Sequence, residues 1–179
     1  MKKEVCRIVK MSKVSDYKII KCIGKGTYCS VNQVINKLDG RKYALKVIKF
    51  QDSTTDREKD NALVEVRFLA SVQHPNVISY KAAFIDVPSS CLCLVMEYAN
   101  SGDLAHRIKS MRNRGQMFTE EVILKIFTQM VLGIQALHSL RIMHRDLKSA
   151  NIFLTDENIV KVGDLNVSKL AGKDGLNYT

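Results

Sequence analysis

Tyr98 divides the chain into a strand-patterned part and a helix-patterned part. Before Tyr98, apolar and partly alternating runs are separated by turn residues such as Asp39 and Gly40, which is the pattern of half-buried strands. The runs cover residues 17–23, 30–36, 42–50, 78–85 and 91–98. Between the third and fourth runs, residues 57–72 carry apolar side chains at helical spacing. We therefore expect one antiparallel sheet with one helix packed on it.

Beyond Tyr98 the spacing of the apolar residues becomes helical. Residues 102–111 form a candidate short helix, and residues 119–140 a long one with Thr119 as its N-cap. One face of the long helix is predicted to be apolar, formed by Val122, Ile126, Met130, Gly133 or Ile134, and Leu137. Short apolar runs follow at residues 141–143, 151–154 and 159–162, on either side of a polar loop. A sheet followed by helices predicts an α+β fold.

The polar loop contains the run His-Arg-Asp-Leu-Lys-Ser-Ala-Asn, which begins at His144, and Asp164 follows the run. Phosphoryl transfer needs one carboxylate to orient the attacking hydroxyl, and an amide with a second carboxylate to bind Mg²⁺. Asp146, Asn151 and Asp164 fit these three roles. The alternative is a chance tripeptide in an ordinary turn.

A glycine-rich turn joins the first two predicted strands. Gly24 and Gly26 would let backbone N–H groups approach phosphate oxygens, and Val31 offers an apolar cover for a purine ring. Because a strand follows rather than a helix, the context favours a phosphate-covering hairpin over a dinucleotide-binding turn. The alternative is a flexible hairpin turn without a ligand.

Two charged residues lie among apolar neighbours in the first part of the chain. Lys46 lies within a strand run, where an ammonium group is costly to bury unless an anion meets it. Phosphate groups and Glu65, on the predicted helix, are the candidate anions. The alternative is that both residues are ordinary surface charges.

Composition narrows the class of protein further. A chain of 179 residues that is 46% hydrophobic is long and apolar enough to be globular. The net charge of +10 suits an enzyme that handles a polyanionic nucleotide, and the basic leader, residues 1–16, lacks the interleaved aromatic residues of a nucleic-acid arm. The five cysteines have no zinc or redox spacing, and we expect reduced thiols. Without a signal-peptide or membrane-span pattern, we expect a cytosolic or nuclear protein.

In their order along the chain, the glycine-rich turn, Lys46, Glu65, the His-Arg-Asp loop and Asp164 resemble a eukaryotic protein kinase. The resemblance implies a bilobal fold. Residues 17–98 would form a five-stranded antiparallel N-lobe with one helix and the start of the hinge, and residues 99–179 an incomplete, mainly helical C-lobe. Stretches such as His74-Pro75-Asn76-Val77-Ile78 are most similar to the NIMA-related branch.

The resemblance also implies roles for individual residues. Lys46 would bind the α and β phosphates of ATP with Glu65 as its partner, Asp146 would be the catalytic base, and Lys148 near the γ phosphate is typical of the serine/threonine class. Asn151 and Asp164 would bind Mg²⁺. The remaining expected nucleotide contacts are the loop residues Gly24, Lys25 and Gly26, the gatekeeper Met96, the hinge from Glu97 to Ala99, and the adenine-sandwiching Ile23, Val31, Ala44 and Phe153.

The expected partners follow from the same resemblance: ATP, Mg²⁺ and a protein substrate with a serine or threonine, without nucleic acid or membrane. Membership of the NIMA-related branch implies cytoskeletal or ciliary partners, and a cytoplasmic location with nuclear, centrosomal or ciliary association.

The chain departs from the kinase pattern at three places. Cys29 replaces the third glycine of the loop, which predicts a restricted backbone and weaker or redox-sensitive ATP binding. Asp164-Leu165-Asn166 replaces Asp-Phe-Gly, with leucine still able to fill an apolar position and asparagine able to adopt positive φ. Thr179 lies within what resembles the start of the activation segment, so the long helix is expected to lack packing partners.

These departures leave more than one function open. The first is an ATP-dependent serine/threonine protein kinase. The second is a truncated, non-catalytic nucleotide-binding or interaction module of the pseudokinase type. A basic nucleic-acid binder rests on net charge alone and lacks a reading element.

Overall fold

The computed structural model describes residues 13–165, apart from the side chains of Glu65, Arg67 and Phe68. Within this range the chain forms two compact units. Residues 13–71 and 79–98 make up the first unit, and residues 72–78 and 99–165 make up the second.

The first unit is built on a five-stranded antiparallel sheet. Its strands are β1 (Tyr17–Lys25), β2 (Cys29–Asn36), β3 (Lys42–Lys49), β4 (Tyr80–Asp86) and β5 (Cys91–Glu97). Their order across the sheet is β1-β2-β3-β5-β4, with every neighbouring pair antiparallel. The predicted antiparallel sheet is therefore confirmed, with most strand ends within two residues of the predicted ones.

Apolar side chains from several strands form a core on one face of this sheet. Val34, Leu45 and Cys93 are fully buried there. The rings of Tyr17 and Phe84 stack with their centroids 6.5 Å apart and their planes 8° from parallel. Successive side chains of a strand lie on opposite faces of the sheet. The residues of β3 that alternate with Leu45 therefore lie on the other face.

The predicted helix of the first unit is α1 (Asp56–Leu69), which packs against β4. Thr55 starts it: its backbone N–H and hydroxyl both donate to the Glu58 carboxylate, at 2.7 and 2.8 Å. The Glu58 backbone N–H in turn donates to the Thr55 hydroxyl oxygen at 3.3 Å, and this reciprocal capping satisfies backbone groups that a helix start leaves without partners. The helix ends at Leu69, three residues before the predicted end at Val72.

The second unit contains two helices and a small hairpin. The helices are α2 (Leu104–Asn113) and α3 (Glu120–Ser139), and the hairpin strands are β6 (Ile152–Leu154) and β7 (Val160–Val162). The predicted N-cap Thr119 is confirmed, since its side chain accepts the backbone N–H of Val122. Helix α2 starts later than residue 102 because Asp103 caps it by accepting the His106 N–H at 2.8 Å. Residues 141–143 form no strand.

Residues 72–78 join the hairpin of the second unit rather than the sheet of the first. Ile78 donates its N–H to the Val162 carbonyl, and Val162 donates its N–H to the Asn76 carbonyl, both at 2.8 Å. The prediction that the fourth strand starts at Ile78 is therefore wrong. The backbone N–H of Ile78 donates to Val162 in β7, so it does not pair in the sheet of the first unit. Strand β4 begins two residues later, at Tyr80.

Helix α3 buries less of its apolar face than predicted. Gly133 and Leu137 are buried, whereas Ile126, Met130 and Ile134 are half-buried and Val122 is exposed. An exposed stripe runs along another side of the helix and includes Ile123, Leu124, Phe127 and Val131. Among the described residues, α3 is also the one helix long and apolar enough to cross a membrane, on length and composition alone.

Candidate functional site

Asp146 and Asn151 are held together in the loop that precedes β6. The Asn151 side-chain amide Nδ2 donates to the Asp146 main-chain carbonyl at 2.8 Å and to the carboxylate oxygen Oδ2 at 3.0 Å. Asn151 itself lies in a short helical turn, Ser149–Asn151, and is buried. The carboxylate of Asp146 is thus oriented by a rigid neighbour.

Lys148 completes this group from the solvent side. Its ammonium nitrogen lies 2.7 Å from Asp146 Oδ2, and both side chains are about half exposed. The hydrogen bond from Lys148, and next the one from Asn151, lower the pKa of Asp146 below its ordinary value. Asp146 is therefore ionised at neutral pH and can act only as a hydrogen-bond acceptor. The structure brings together three of the predicted site residues.

His144 orients the same loop through contacts of both its ring nitrogens, a role that the sequence analysis missed. Its ring nitrogen Nε2 lies 2.8 Å from the Gly163 carbonyl oxygen, and Nδ1 lies 3.4 Å from the backbone nitrogen of Asp146. Because a carbonyl can only accept, Nε2 carries the proton and Nδ1 accepts from Asp146. The deep burial of His144, at 5% exposure, is the signal of this structural role, and no sequence pattern reports burial.

Asp164 is linked to this loop through the residue before it. Gly163 donates its N–H to the Asn151 carbonyl at 2.9 Å while its own carbonyl accepts from His144. A Cβ atom at Gly163 would lie 2.6 Å from a side-chain carbon of Ile78 and 2.9 Å from one of Phe153. Glycine is therefore required for this close approach, which positions the backbone of Asp164.

Two non-glycine residues of this region adopt left-handed backbone conformations. Arg145 has φ of 63° and Asp164 has φ of 56°. Such conformations cost about 1–3 kcal/mol each and persist where surrounding contacts enforce them. Leu165 is buried, as predicted for the leucine that replaces phenylalanine, and Asn166 lies outside the described residues.

Asn76 and Gln129 brace the hairpin behind the site, and neither was predicted to do so. Asn76 Nδ2 donates to Gln129 Oε1 at 3.0 Å and to the Val160 carbonyl at 2.9 Å. Gln129 Oε1 also accepts the Val160 N–H at 2.9 Å. These bonds join the 72–78 segment, α3 and β7. Because the two residues lie far apart in sequence, local patterns carry no sign of the pairing.

The first unit gathers a second group of predicted site residues on one face of its sheet. In the strand register Val31 lies opposite Lys46, and Ala44 lies opposite Met96. Gly24 lies opposite Val31. Directly paired residues share a face, as do residues two apart on a strand. These five residues therefore line the sheet face opposite the Leu45 core.

The remaining predicted nucleotide contacts lie at several places. Ile23 and Lys25 are exposed near the end of β1, and Glu97 is half-buried and accepts the Ser79 N–H at 2.7 Å. Ala99 and Phe153 belong to the second unit. Lys46 is buried at 4% exposure, but the Glu65 side chain lies outside the described part of the chain. The Lys46–Glu65 ion pair therefore stays a prediction.

The glycine-rich turn closes tightly around Cys29. The Gly26 N–H donates to the Cys29 carbonyl at 2.8 Å, and a Cβ atom at Gly26 would lie 3.1 Å from the Cys29 sulfur. Cys29 begins β2 and pairs with Ile48. Its φ is not in the left-handed region, so cysteine at this position causes no backbone strain. The predicted effect of Cys29 on ATP binding stays a prediction.

The four cysteines in the described range are free thiols, as expected: Cys22, Cys29, Cys91 and Cys93. Burial, followed by the charge of Asp86, raises the pKa of Cys93 to about 12. Since the thiolate is the reactive form, this buried thiol is inert.

The donor groups of the second unit fit a magnesium ion. Asn151 uses its amide nitrogen on Asp146, so its oxygen Oδ1 accepts no hydrogen bond from the described residues. Asp164 supplies a carboxylate. Within residues 13–165 there is no cluster of three or more histidine, cysteine, aspartate or glutamate ligands. An amide oxygen and a carboxylate are hard oxygen donors of the kind that Mg²⁺ takes, since this ion typically binds one or two carboxylates and otherwise water or substrate phosphates.

Comparison with known proteins finds a family match over nearly the whole chain. Residues 17–178 match the family model described as the protein kinase domain. Among curated proteins, the chain is 35% identical over 161 residues to serine/threonine-protein kinase Nek6 of Oryza sativa subsp. japonica. It is 33% identical over 159 residues to serine/threonine-protein kinase Nek4 and 34% identical over 168 residues to serine/threonine-protein kinase Nek2, both of Mus musculus.

These matches cover most of this chain but a minor part of each relative. They span 90%, 89% and 91% of the chain, and 29%, 20% and 38% of the Nek6, Nek4 and Nek2 proteins, respectively. The chain thus corresponds to less than two-fifths of each of these proteins.

Proposed function

Because the chain belongs to the protein kinase family, we propose that it transfers the γ-phosphoryl group of ATP to a serine or threonine hydroxyl of a protein. The observation that carries this proposal is the arrangement around Asp146. Its ionised carboxylate is held by Asn151 and Lys148 and remains partly open to solvent. A substrate hydroxyl can therefore reach a carboxylate that is already oriented.

Asp146 has the properties of the group that orients the hydroxyl and accepts its proton. In the transfer, the hydroxyl oxygen forms a bond to the γ phosphorus, the bond from that phosphorus to the β–γ bridging oxygen breaks, and ADP leaves. The hydroxyl proton passes to Asp146. A low pKa keeps this carboxylate deprotonated, so its main contribution is positioning rather than strong basicity.

Lys148 stabilises the negative charge of the transferred group. Its ammonium group lies beside the Asp146 carboxylate, which accepts the proton of the substrate hydroxyl. The Lys148 cation therefore lies next to the reacting atoms. A fixed cation at a site of developing negative charge favours the transition state. A lysine at this position supports the serine/threonine class, and so do the similar proteins, which are named serine/threonine-protein kinases.

Asn151 and Asp164 would hold Mg²⁺. When bound, the ion neutralises phosphate charge during transfer. Asn151 Nδ2 donates to the Asp146 carboxylate, and Oδ1 of the same amide would bind the metal ion. One side chain would therefore both hold the ion and orient Asp146, which accepts the proton.

The sheet face of the first unit supplies groups suited to a nucleotide. Ala44 and Val31 offer small apolar surface, and the buried Lys46 offers a cation for phosphate oxygens. In the same proposal Glu65 orients Lys46. A cytoplasmic location and cytoskeletal or ciliary partners stay predictions from the resemblance.

The test is transfer of labelled γ-phosphate from Mg-ATP to a generic basic protein by the purified chain, compared with the Asp146→Asn variant. Asp52→Asn is the matched control, because Asp52 is an exposed carboxylate in a turn of the first unit. We expect transfer by the parent and the control, and loss of at least about a hundredfold in Asp146→Asn.

A melting measurement with and without nucleotide separates the proposed kinase from the alternative module. A nucleotide-dependent rise in melting temperature without transfer would favour the non-catalytic binding module, and equal transfer by Asp146→Asn would contradict the role of Asp146.

A further inference from the structure

A cavity of about 560 Å³ lies within the second unit, and its lining includes none of Asp146, Lys148 and Asn151. Its lining comes from α2, α3 and the turn between β6 and β7. Phe118, Val122, Ile126 and Leu154 supply its apolar surface. We call it the α2–α3 pocket. Its size falls within the range of pockets that bind ligands or peptide side chains.

The wall formed by the β6–β7 turn is held by its own hydrogen bonds. Asp156 donates its backbone N–H to Asn100 Oδ1 at 3.0 Å, and Ile159 donates its N–H to Thr155 Oγ1 at 3.1 Å. Gln129 Nε2 donates to the Asn158 carbonyl at 3.3 Å. A wall whose polar groups are already satisfied needs little reorganisation on binding, so the pocket is preformed.

The α2 side of the pocket is strongly basic. From residue 104 to residue 119 the chain has four basic residues, Arg107, Lys109, Arg112 and Arg114, and no acidic residue. None of the four forms an ion pair with any residue in the described range 13–165. The positive charge on this side is therefore available to a partner.

Arg107 is the basic residue of this group that lines the pocket. It lies in the first turn of α2, where the positive end of the helix dipole disfavours a cation. Arg112, in contrast, lies in the last turn, where the dipole favours it. The dipole therefore favours Arg112 and disfavours Arg107. Asp103, four residues before Arg107, offsets part of this cost but forms no ion pair with it among the described residues, so a carboxylate bound in the pocket would supply a direct partner.

We propose that the α2–α3 pocket docks a short acidic segment of a partner protein, with an apolar anchor side chain on Val122 and Ile126 and a carboxylate at Arg107. Asp156 is the one acidic residue of the pocket lining, so the acidic residues of the partner lie on the α2 side. This docking does not depend on phosphoryl transfer.

The experiment measures fluorescence anisotropy of a fluorescein-labelled synthetic peptide in which two leucines precede a run of glutamates, titrated with the whole chain. Arg107→Glu removes the proposed carboxylate contact, and Val122→Glu puts a charge on the apolar surface. Both residues are exposed, so the variants should fold, which circular dichroism verifies. We expect each variant to weaken binding by at least about tenfold.

Lys109→Glu is the matched control for Arg107→Glu, because it makes the same charge change on the same helix outside the pocket. We expect it to weaken binding by less than about threefold, and Asp156→Asn to strengthen binding. Equal losses in Arg107→Glu and Lys109→Glu would show general surface electrostatics and overturn the proposal. So would equal binding of a peptide with asparagines in place of the leucines, or no binding by the parent chain.

Discussion

Asn151 holds Asp146 through its main chain and its side chain at once, with Nδ2 at 2.8 Å from the carbonyl oxygen and at 3.0 Å from Oδ2. One amide group thus determines both the path of the loop and the direction of the carboxylate. Because the nitrogen does this work, the amide oxygen stays available for a metal ion. Asparagine, which carries a donor and an acceptor on one rigid group, suits this position better than aspartate.

Asn151→Asp should destabilise the fold in a pH-dependent manner. The variant places a carboxylate against two acceptors, and loss of a satisfied buried contact typically costs about 1–3 kcal/mol. The loss should be largest at neutral pH, where both carboxylates are ionised, and smaller in acid, where they become neutral. Urea denaturation at several pH values measures it. Asn61→Asp, on the exposed side of α1, is the control and should change little.

Lys148→Ala should raise the pKa of Asp146 toward its ordinary value, because the hydrogen bond from Lys148 is the main cause of the lowering. A lowered pKa in the folded state stabilises the fold above the unfolded-state pKa, and this contribution is lost as the pH falls through the folded-state value. The variant should therefore lose less stability on acidification than the parent.

Carboxyl-carbon NMR shifts of Asp146 as a function of pH measure the pKa directly. Lys125→Ala, which removes an exposed ion pair with Glu121, is the control and should leave the titration of Asp146 unchanged. An unchanged Asp146 titration in Lys148→Ala would contradict the assigned cause. If the proposed function holds, Lys148→Ala should also slow phosphoryl transfer by about 10²–10³-fold.

Gly133→Ala should destabilise the second unit even though alanine favours helices. A Cβ atom at Gly133 would lie 2.4 Å from the Asn76 carbonyl oxygen and 3.1 Å from a methyl carbon of Val162. The gain in helix propensity is about 1 kcal/mol, whereas forcing packed segments apart typically costs about 1–3 kcal/mol and more against backbone. We expect a net loss of about 1–3 kcal/mol in the free energy of unfolding.

Denaturant unfolding of Gly133→Ala beside Gln135→Ala distinguishes this clash from a general effect of alanine in α3. Gln135 is exposed on the same helix, so its replacement should change stability by no more than about 0.5 kcal/mol. Equal stability of Gly133→Ala and the parent would show that α3 and the 72–78 segment can move apart at no cost.

Thiol alkylation should distinguish Cys22 from Cys93. Cys22 is exposed on β1, whereas Cys93 is fully buried with a pKa raised to about 12. Iodoacetamide at neutral pH should therefore modify Cys22 in the native protein and Cys93 only in denaturant. Peptide mass mapping identifies the modified residues, and Cys22→Ser removes the expected native signal. Native labelling of Cys93 would contradict its burial.

The positions of the strands and helices along the chain were predictable because they depend on local patterns. The apolar runs in 42–50 and 91–98 predicted β3 and β5, and Thr119 followed by two glutamates predicted the start of α3. The chemistry of the candidate site was also predictable in part. The order and spacing of Asp146, Lys148 and Asn151 indicated a common loop, and the structure places the three in direct contact.

The sequence by itself determined which segments become strands and helices, and which residues carry chemistry, since side-chain periodicity and motif spacing are properties of neighbouring residues. Only the tertiary structure decided that Ile78 pairs with Val162 rather than extending β4, and that His144 orients its loop through Gly163. It also decided which side of α3 is buried. These outcomes depend on hydrogen bonds and close contacts between residues far apart in the chain, which become defined only when the backbone has folded.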